Sequence, residues 1–355
     1  MDRSFYLDLA RRSDVRLPIT ADLLLHEKED PQACRFSGEC LGKVIVETAE
    51  RFRMPLAFPL MDLRTEKEWL LTRIGVAPDD IDAFHFPDEI KAGDTTRLEA
   101  ISEAEPTARM EASLGALRHV RDHSEAVPVG MAIGPFSLMT KLVNDPITAA
   151  YQVGLDPEDE DAEQVMHVLE IGTRAIHRWI ELQIDAGARA ICLCEPACNV
   201  VYLSPRQLEQ QPELLDTLVL DFNRRLKALM DENDVDLIFH DCGELNEPIL
   251  RGIDTLDPAI LSLGSPCHLP EVAPWISQRT VIMGNLPSKK FYSDTEITVD
   301  QITESGGALL REMEATGHPF ILGTECDVLC VPGCEHTILK KVEALVAIEA
   351  TPPSP

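Results

Sequence analysis

The chain has 355 residues, 45% hydrophobic and 26% charged, an ordinary make-up for a globular enzyme and long enough for one α/β barrel or two smaller domains. Acidic residues number 61 against 32 basic ones, a formal charge of −29. That balance argues against nucleic acid as the main partner and against a polybasic membrane contact, because both need a basic surface.

The amino-terminal MDRSFYLDLARRSDVRLPIT lacks the apolar run of a secretion signal, and no stretch of the chain is apolar enough to cross a membrane. Short apolar runs then alternate with amphipathic stretches. The runs predicted as strands are Met54–Asp62, Val127–Ile133, Ala188–Cys194, Val235–His240, Ala259–Leu263, Thr280–Gly284 and Phe320–Gly323, with Ile81–Phe86 as a weaker eighth. Continuous rather than alternating apolar character suits parallel strands covered on both faces. Predicted helices are Glu158–Ala186, Pro205–Asp231, Gln301–Thr316 and Glu335–Ile348; the first has acids in its first turn and Gly187 past its end. Eight strands alternating with helices predict a (β/α)8 TIM barrel, with an open doubly wound sheet as the alternative. No shift in composition divides the chain, so residues 1–355 are read as one domain with a frayed tail at about 350–355.

In a barrel the useful positions are the carboxyl ends of strands. His240 and Cys242 directly follow the run DLIF, and Cys326 lies just past the last strand, with Cys330 and Cys334 in the loop beyond. A His-x-Cys pair puts two donors on one side of an extended segment, and a third donor from another strand end would complete a three-ligand zinc site with one position open. Asp241 and Glu244 are nearby carboxylates for orienting the imidazole. The plain alternative is that these cysteines are small buried core residues. Ten cysteines without a secretion signal point to a reducing cytoplasm, where clustered cysteines bind metal or do chemistry more often than they form disulfides.

The segments HDCGELNEPIL and PFILGTECDV resemble the uroporphyrinogen decarboxylase superfamily, and more narrowly its branch of cobalamin-dependent methyltransferases of the methylcobalamin:coenzyme M type. VPVGMAIGPFSLMTKLV, GARAICLCEPACNVVYLSPRQLEQ and VIMGNLP extend the resemblance over most of the chain. It implies a barrel, a zinc ion (Zn2+) held by His240, Cys242 and Cys326, and methyl transfer between a corrinoid (methylcobalamin) carried by a separate corrinoid protein and a small thiol acceptor or small methyl donor. Glu325 stands where the family has Gly before the third ligand, and Cys334 is the fallback for that ligand. Asp62 falls where the superfamily places an acid at the end of the first strand; it either lines the pocket or caps a loop. Glu195, after the third long run, is a candidate catalytic group or spare zinc ligand, against a loop carboxylate in water. Gly284 and Asn285 either present a close backbone and an amide to substrate or simply form a turn.

Other signals carry less. Cys192, Cys194 and Cys198 read as a buried strand with a loop cysteine, His26-Glu27 lacks the second histidine of a zincin, and no Gly-rich phosphate loop follows a strand. Two further functions stay open at this point: a metal-free decarboxylase of the same superfamily, and a barrel without catalysis. The former is disfavoured by the missing arginine-rich amino-terminal segment, since a polycarboxylate substrate needs Arg or Lys forks.

Overall fold

The computed structural model describes residues 3–87 and 90–349; the predicted tail at 350–355 lies outside them. Seven parallel strands form one sheet in the order β1 to β7: Leu56–Ala57, Val127–Ile133, Ala190–Cys194, Asp236–Asp241, Ile260–Leu263, Val281–Leu286 and Phe320–Thr324. Sequential parallel order with a helix in most crossovers is the (β/α) barrel pattern. The eighth position is not filled by Ile81–Phe86. That segment is turn and coil, and its one bridge joins Phe86 to Val143. Instead the segment carrying Leu17 lies beside β7: Leu17 N–H donates to Leu322 O at 3.1 Å, and Leu17 bridges Gly323. Leu17 and Ile19 are fully buried. The apolar run of Ile81–Phe86 is used for packing against the helical shell, which periodicity alone does not distinguish from a strand.

The strand predicted over Met54–Asp62 is only the pair Leu56–Ala57. Pro55 and Pro59 flank it and supply no N–H to a ladder. The other strands begin and end within two residues of expectation. Alternation then sorts side chains into two cores. Ala190, Cys192, Cys194, Ile238, Ile260 and Met283 face the barrel interior, while Ile191, Leu193, Leu237, Phe239 and Leu261 face the helices.

Around the sheet, the helix Glu160–Ala186 starts on the Asp159 side chain, which accepts from Asp161 N, and stops at Gly187 in the left-handed conformation. Val299–Thr316 opens with a reciprocal capping box between Thr298 and Gln301. The helix predicted as Pro205–Asp231 is interrupted once, between Pro205–Gln210 and a helical run that starts at Glu213 and continues through a π-turn at Asp216–Leu220 to Glu232, because Pro212 cannot continue the first piece. Outside the clusters that the sequence singled out, Cys34 and Cys40 are joined in a disulfide that ties the helix Pro31–Arg35 to the start of Gly38–Arg51.

Candidate metal centre

His240 is the fifth residue of β4, and by alternation it shares the interior face with Ile238 and with Cys242 just beyond the strand. Asp241 between them faces the other way, and its Oδ1 accepts from Gly243 N at 2.8 Å, turning the chain at the strand end. Cys326 follows β7 directly. The ligating atoms of His240, Cys242 and Cys326 all lie within 4.8 Å of one another, the only such group of three or more His, Cys, Asp or Glu among the described residues.

Electrostatics mark the same three residues. Cys242 is lowered to about 4, first by a hydrogen bond from Cys326, against burial, and then by His240 and Lys289. Cys326 is raised, because it keeps the proton it donates to Cys242 and is itself buried. His240 is 1% exposed; its Nδ1 lies 2.9 Å from Ser262 Oγ, while its Nε2 is buried with no hydrogen-bond partner. A buried imidazole nitrogen is rarely left unpaired, and this one sits with two sulfurs. One nitrogen and two sulfur donors, with a fourth side open, match the donor set of a catalytic zinc site.

The surrounding loops are fixed to each other. Glu325, in place of the expected Gly, accepts from Ser265 Oγ at 2.5 Å, Ser265 N at 3.3 Å and Lys289 N at 3.2 Å, joining the loops after β5 and β6 to the end of β7. Gly264 is required where it stands: a Cβ there would come 2.6 Å from Cys242 Cα and O. Asn285 donates its amide to Gly264 O at 2.8 Å and Cys267 O at 2.7 Å, and Gly284 adopts φ +142° against Leu263 O. Both residues thus brace the loop against which Cys242 rests.

Two expectations change. Glu195 is not a loop carboxylate in water: it is 0% exposed, sits on the outward register of β3, and accepts from Phe136 N, Ser137 N and Asn223 Nδ2. The imidazole is oriented by Ser262, not by Asp241, whose outward register carries it away, nor by Glu244. Cys334 lies at the start of the helix Glu335–Ala347, outside the three-residue group. Asp62 does both things weighed for it: Oδ1 accepts from Arg64 N at 3.3 Å, and the carboxylate pairs with Arg109 in the wall of a cavity. Cys192, Cys194 and Cys198 are fully buried.

Sequence reasoning missed Ser262, Lys289, Arg35 and Arg109. Only Ser262 left a readable signal, a polar residue on the interior register of an apolar strand. Lys289 reaches Cys242 from the loop after β6; burial pulls its ammonium down, but Cys242, Cys326 and Glu325 hold it above its ordinary range.

The family model for uroporphyrinogen decarboxylase (URO-D) matches residues 24–348. The chain belongs to the uroporphyrinogen decarboxylase family. Among solved structures, a methyltransferase from Methanosarcina mazei superposes on this URO-D family member with a TM-score of 0.66 at 17% identity, covering 97% of each chain. At that identity the likeness shows the shared barrel fold. A B12-independent methionine synthase from Shewanella sp. W3-18-1 gives a TM-score of 0.45 at 13% identity, over 66% of this chain and 65% of that one. No curated protein sequence matches the chain.

Proposed function

We propose that this URO-D family member is a zinc-dependent, corrinoid-linked methyltransferase of the cytoplasm, moving a methyl group between a corrinoid on a partner protein and a small thiol or methyl donor. The observation that carries the reading is the convergence of His240, Cys242 and Cys326, with His240 Nε2 buried and otherwise unpaired. The methyltransferase among its fold relatives adds support.

His240 Nε2 and the sulfurs of Cys242 and Cys326 would hold the ion, and Ser262 would keep the imidazole in the tautomer that leaves Nε2 free. When bound, zinc supplies a Lewis-acid position that keeps a thiol ionised near neutral pH or polarises a donor. The chain's own part is alignment. Glu325 and Asn285 lock the three strand-end loops, so the donors keep their mutual geometry. The Lys289 ammonium offsets the negative charge that gathers when another sulfur joins two thiolates.

Metal analysis tests the reading. The purified chain should carry about one zinc, lost in His240→Ala and in Cys242→Ser. Metal-loaded protein given methylcobalamin and a panel of thiols should demethylate the corrinoid, seen in the cobalt absorption spectrum; with reduced corrinoid and methyl ethers the spectrum reads the opposite direction. A folded chain that binds no zinc and decarboxylates a porphyrinogen would replace this reading with the metal-free decarboxylase.

A further inference from the structure

The Cys34–Cys40 bridge lies outside the metal centre but is joined to it by a short run of contacts. Cys34 sits on the helix Pro31–Arg35, and Cys40 in the first turn of Gly38–Arg51. Arg35, next to Cys34, places Nη2 3.0 Å from Asp22 Oδ1. The other oxygen of that carboxylate accepts from Cys330 N at 2.9 Å. Cys330 belongs to the loop between β7 and the helix Glu335–Ala347, which begins with the metal-site residues Glu325 and Cys326. The same loop is tied to the amino-terminal segment where Val328 N donates to Ile19 O at 2.8 Å. Arg35 also offsets the Asp22 charge that bears on the buried carboxyl of Asp327, the residue after Cys326.

Arg35 has little local structure to hold it there. A helix of five residues has no stability of its own, and the Asp30 cap on Ala33 N closes only its first turn. Its last turn is anchored by the buried Cys34 and the bond to Cys40. That bond closes a short loop around Arg35 and removes other arrangements of it. In a reducing compartment such a disulfide is transient or redox-sensing rather than structural. The two sulfurs differ in access, since Cys34 is 3% exposed and Cys40 is half-buried.

We propose that Cys34–Cys40 is a redox switch on the metal centre, opened by a dithiol reductant, which presupposes the metal-site and cytoplasmic readings above. A thiolate of the dithiol attacks Cys40 Sγ, and Cys34 leaves as a thiolate that takes a proton. The dithiol's second sulfur then displaces Cys40 in the same way. The bridge gains two electrons and two protons, and the dithiol ends as its own disulfide. With the bridge open, Arg35 is released from Asp22, the Asp22 charge beside Asp327 is no longer offset, and the loop carrying Cys326 loosens. The oxidised chain is the tight zinc binder and the reduced chain the weak one.

Mass spectrometry of the chain isolated without reductant and alkylated should show Cys34 and Cys40 linked. Zinc affinity, read by chelator competition, should fall about tenfold in the double variant Cys34→Ser/Cys40→Ser, within the usual range of coupling between two sites. Wild type reduced with a phosphine and desalted without air should show the same fall with no substitution made. Arg35→Gln should reproduce it with the bridge intact. Adding Arg35→Gln to the double serine variant should cost little more, because the two changes break one network. Hydrogen exchange of residues 326–334 in the metal-free chain reads the loop directly and should quicken in each opened form. Circular dichroism checks folding; if a variant does not fold, the reduced wild type decides. Unlinked cysteines, an unchanged zinc affinity or loop exchange on opening, or a fully additive loss with Arg35→Gln overturns the proposal. Because exchange is read without metal, a chain that binds no zinc in either state but quickens on opening fails the metal-site reading and keeps the coupled loop. Equal zinc binding in the oxidised and reduced chains fails the switch and keeps the metal site.

Discussion

Ser262 and His240 are direct partners in the ladder between β4 and β5, and Ser262 Oγ lies 2.9 Å from His240 Nδ1. Neighbouring strands in register project such residues side by side on one face. A hydroxyl that accepts a hydrogen bond from Nδ1–H leaves Nε2 as the lone-pair donor beside the two sulfurs. Ser262→Ala should lower zinc affinity by about 10–100-fold, the usual effect of losing a partner that orients a ligand. Ser262→Thr keeps the hydroxyl and should retain most of it. Competition with a chromophoric chelator reads both, and equal affinity in wild type and Ser262→Ala would remove the serine from the site.

The third sulfur is decided by a pair of substitutions. Cys326 belongs to the cluster and Cys334 does not. Cys326→Ser should strip zinc from the purified chain, and Cys334→Ser should leave about one ion per chain, as three protein ligands require. The reverse result in elemental analysis would move the ligand into the loop.

Why some of this was legible in sequence and some was not follows from the same alternation. A strand repeats every two residues, so His240 and Cys242 had to share a face whatever the fold around them. That rule applied to Asp241 and Glu195 also excludes both from the interior: Asp241 sits between the donors, and Glu195 follows Ile191 and Leu193 on the outward register. Cys326 was legible as a cysteine just past the last strand, but its choice over Cys334 came through family resemblance, because nothing local ties either to β4. Arg109 and Lys289 left no pattern at all. Their places depend on how a helix and a loop far along the chain pack at the barrel mouth, and an isolated basic residue in an amphipathic stretch is indistinguishable from a solvated one. The first strand position failed for a related reason: Leu17 and Ile19 form too short an apolar segment to stand out, while Ile81–Phe86 has strand-like composition and packs as a turn.

Glu195 is a positioning group for the fold. It accepts from two backbone N–H groups at the start of the helix Pro135–Thr140 and from Asn223 on Asp221–Glu232. Burial raises its pKa, against those hydrogen bonds. Glu195→Ala orphans the two backbone donors and removes one of the two hydrogen bonds of the Asn223 amide, which keeps Val219 O, and should cost roughly 2–4 kcal/mol in chemical denaturation. Glu195→Gln keeps an accepting oxygen and should cost less. Zinc content should not change in either variant, and its loss in both would return Glu195 to the metal site.

Glu66 makes stability depend on pH. It sits in the first turn of Thr65–Arg73, fully buried, with Oε1 accepting from Ile133 N and Oε2 unpartnered. Burial, with Asp62 adding to it, lifts its pKa from 4.5 to about 8 against the Ile133 hydrogen bond. A raised folded-state pKa means the stabilising contribution is complete below the unfolded value, where both states are protonated. Between 4.5 and about 8 the unfolded chain ionises while the folded chain keeps its proton. Stability then falls by about 1.4 kcal/mol per pH unit until the folded group also ionises. Glu66→Gln removes that slope. In urea denaturation the variant should be close to wild type near about pH 5 and clearly more stable near about pH 8. A difference that stays constant between the two pH values would mean that Glu66 is already ionised in the folded protein, with its charge met by a group other than Ile133 N–H.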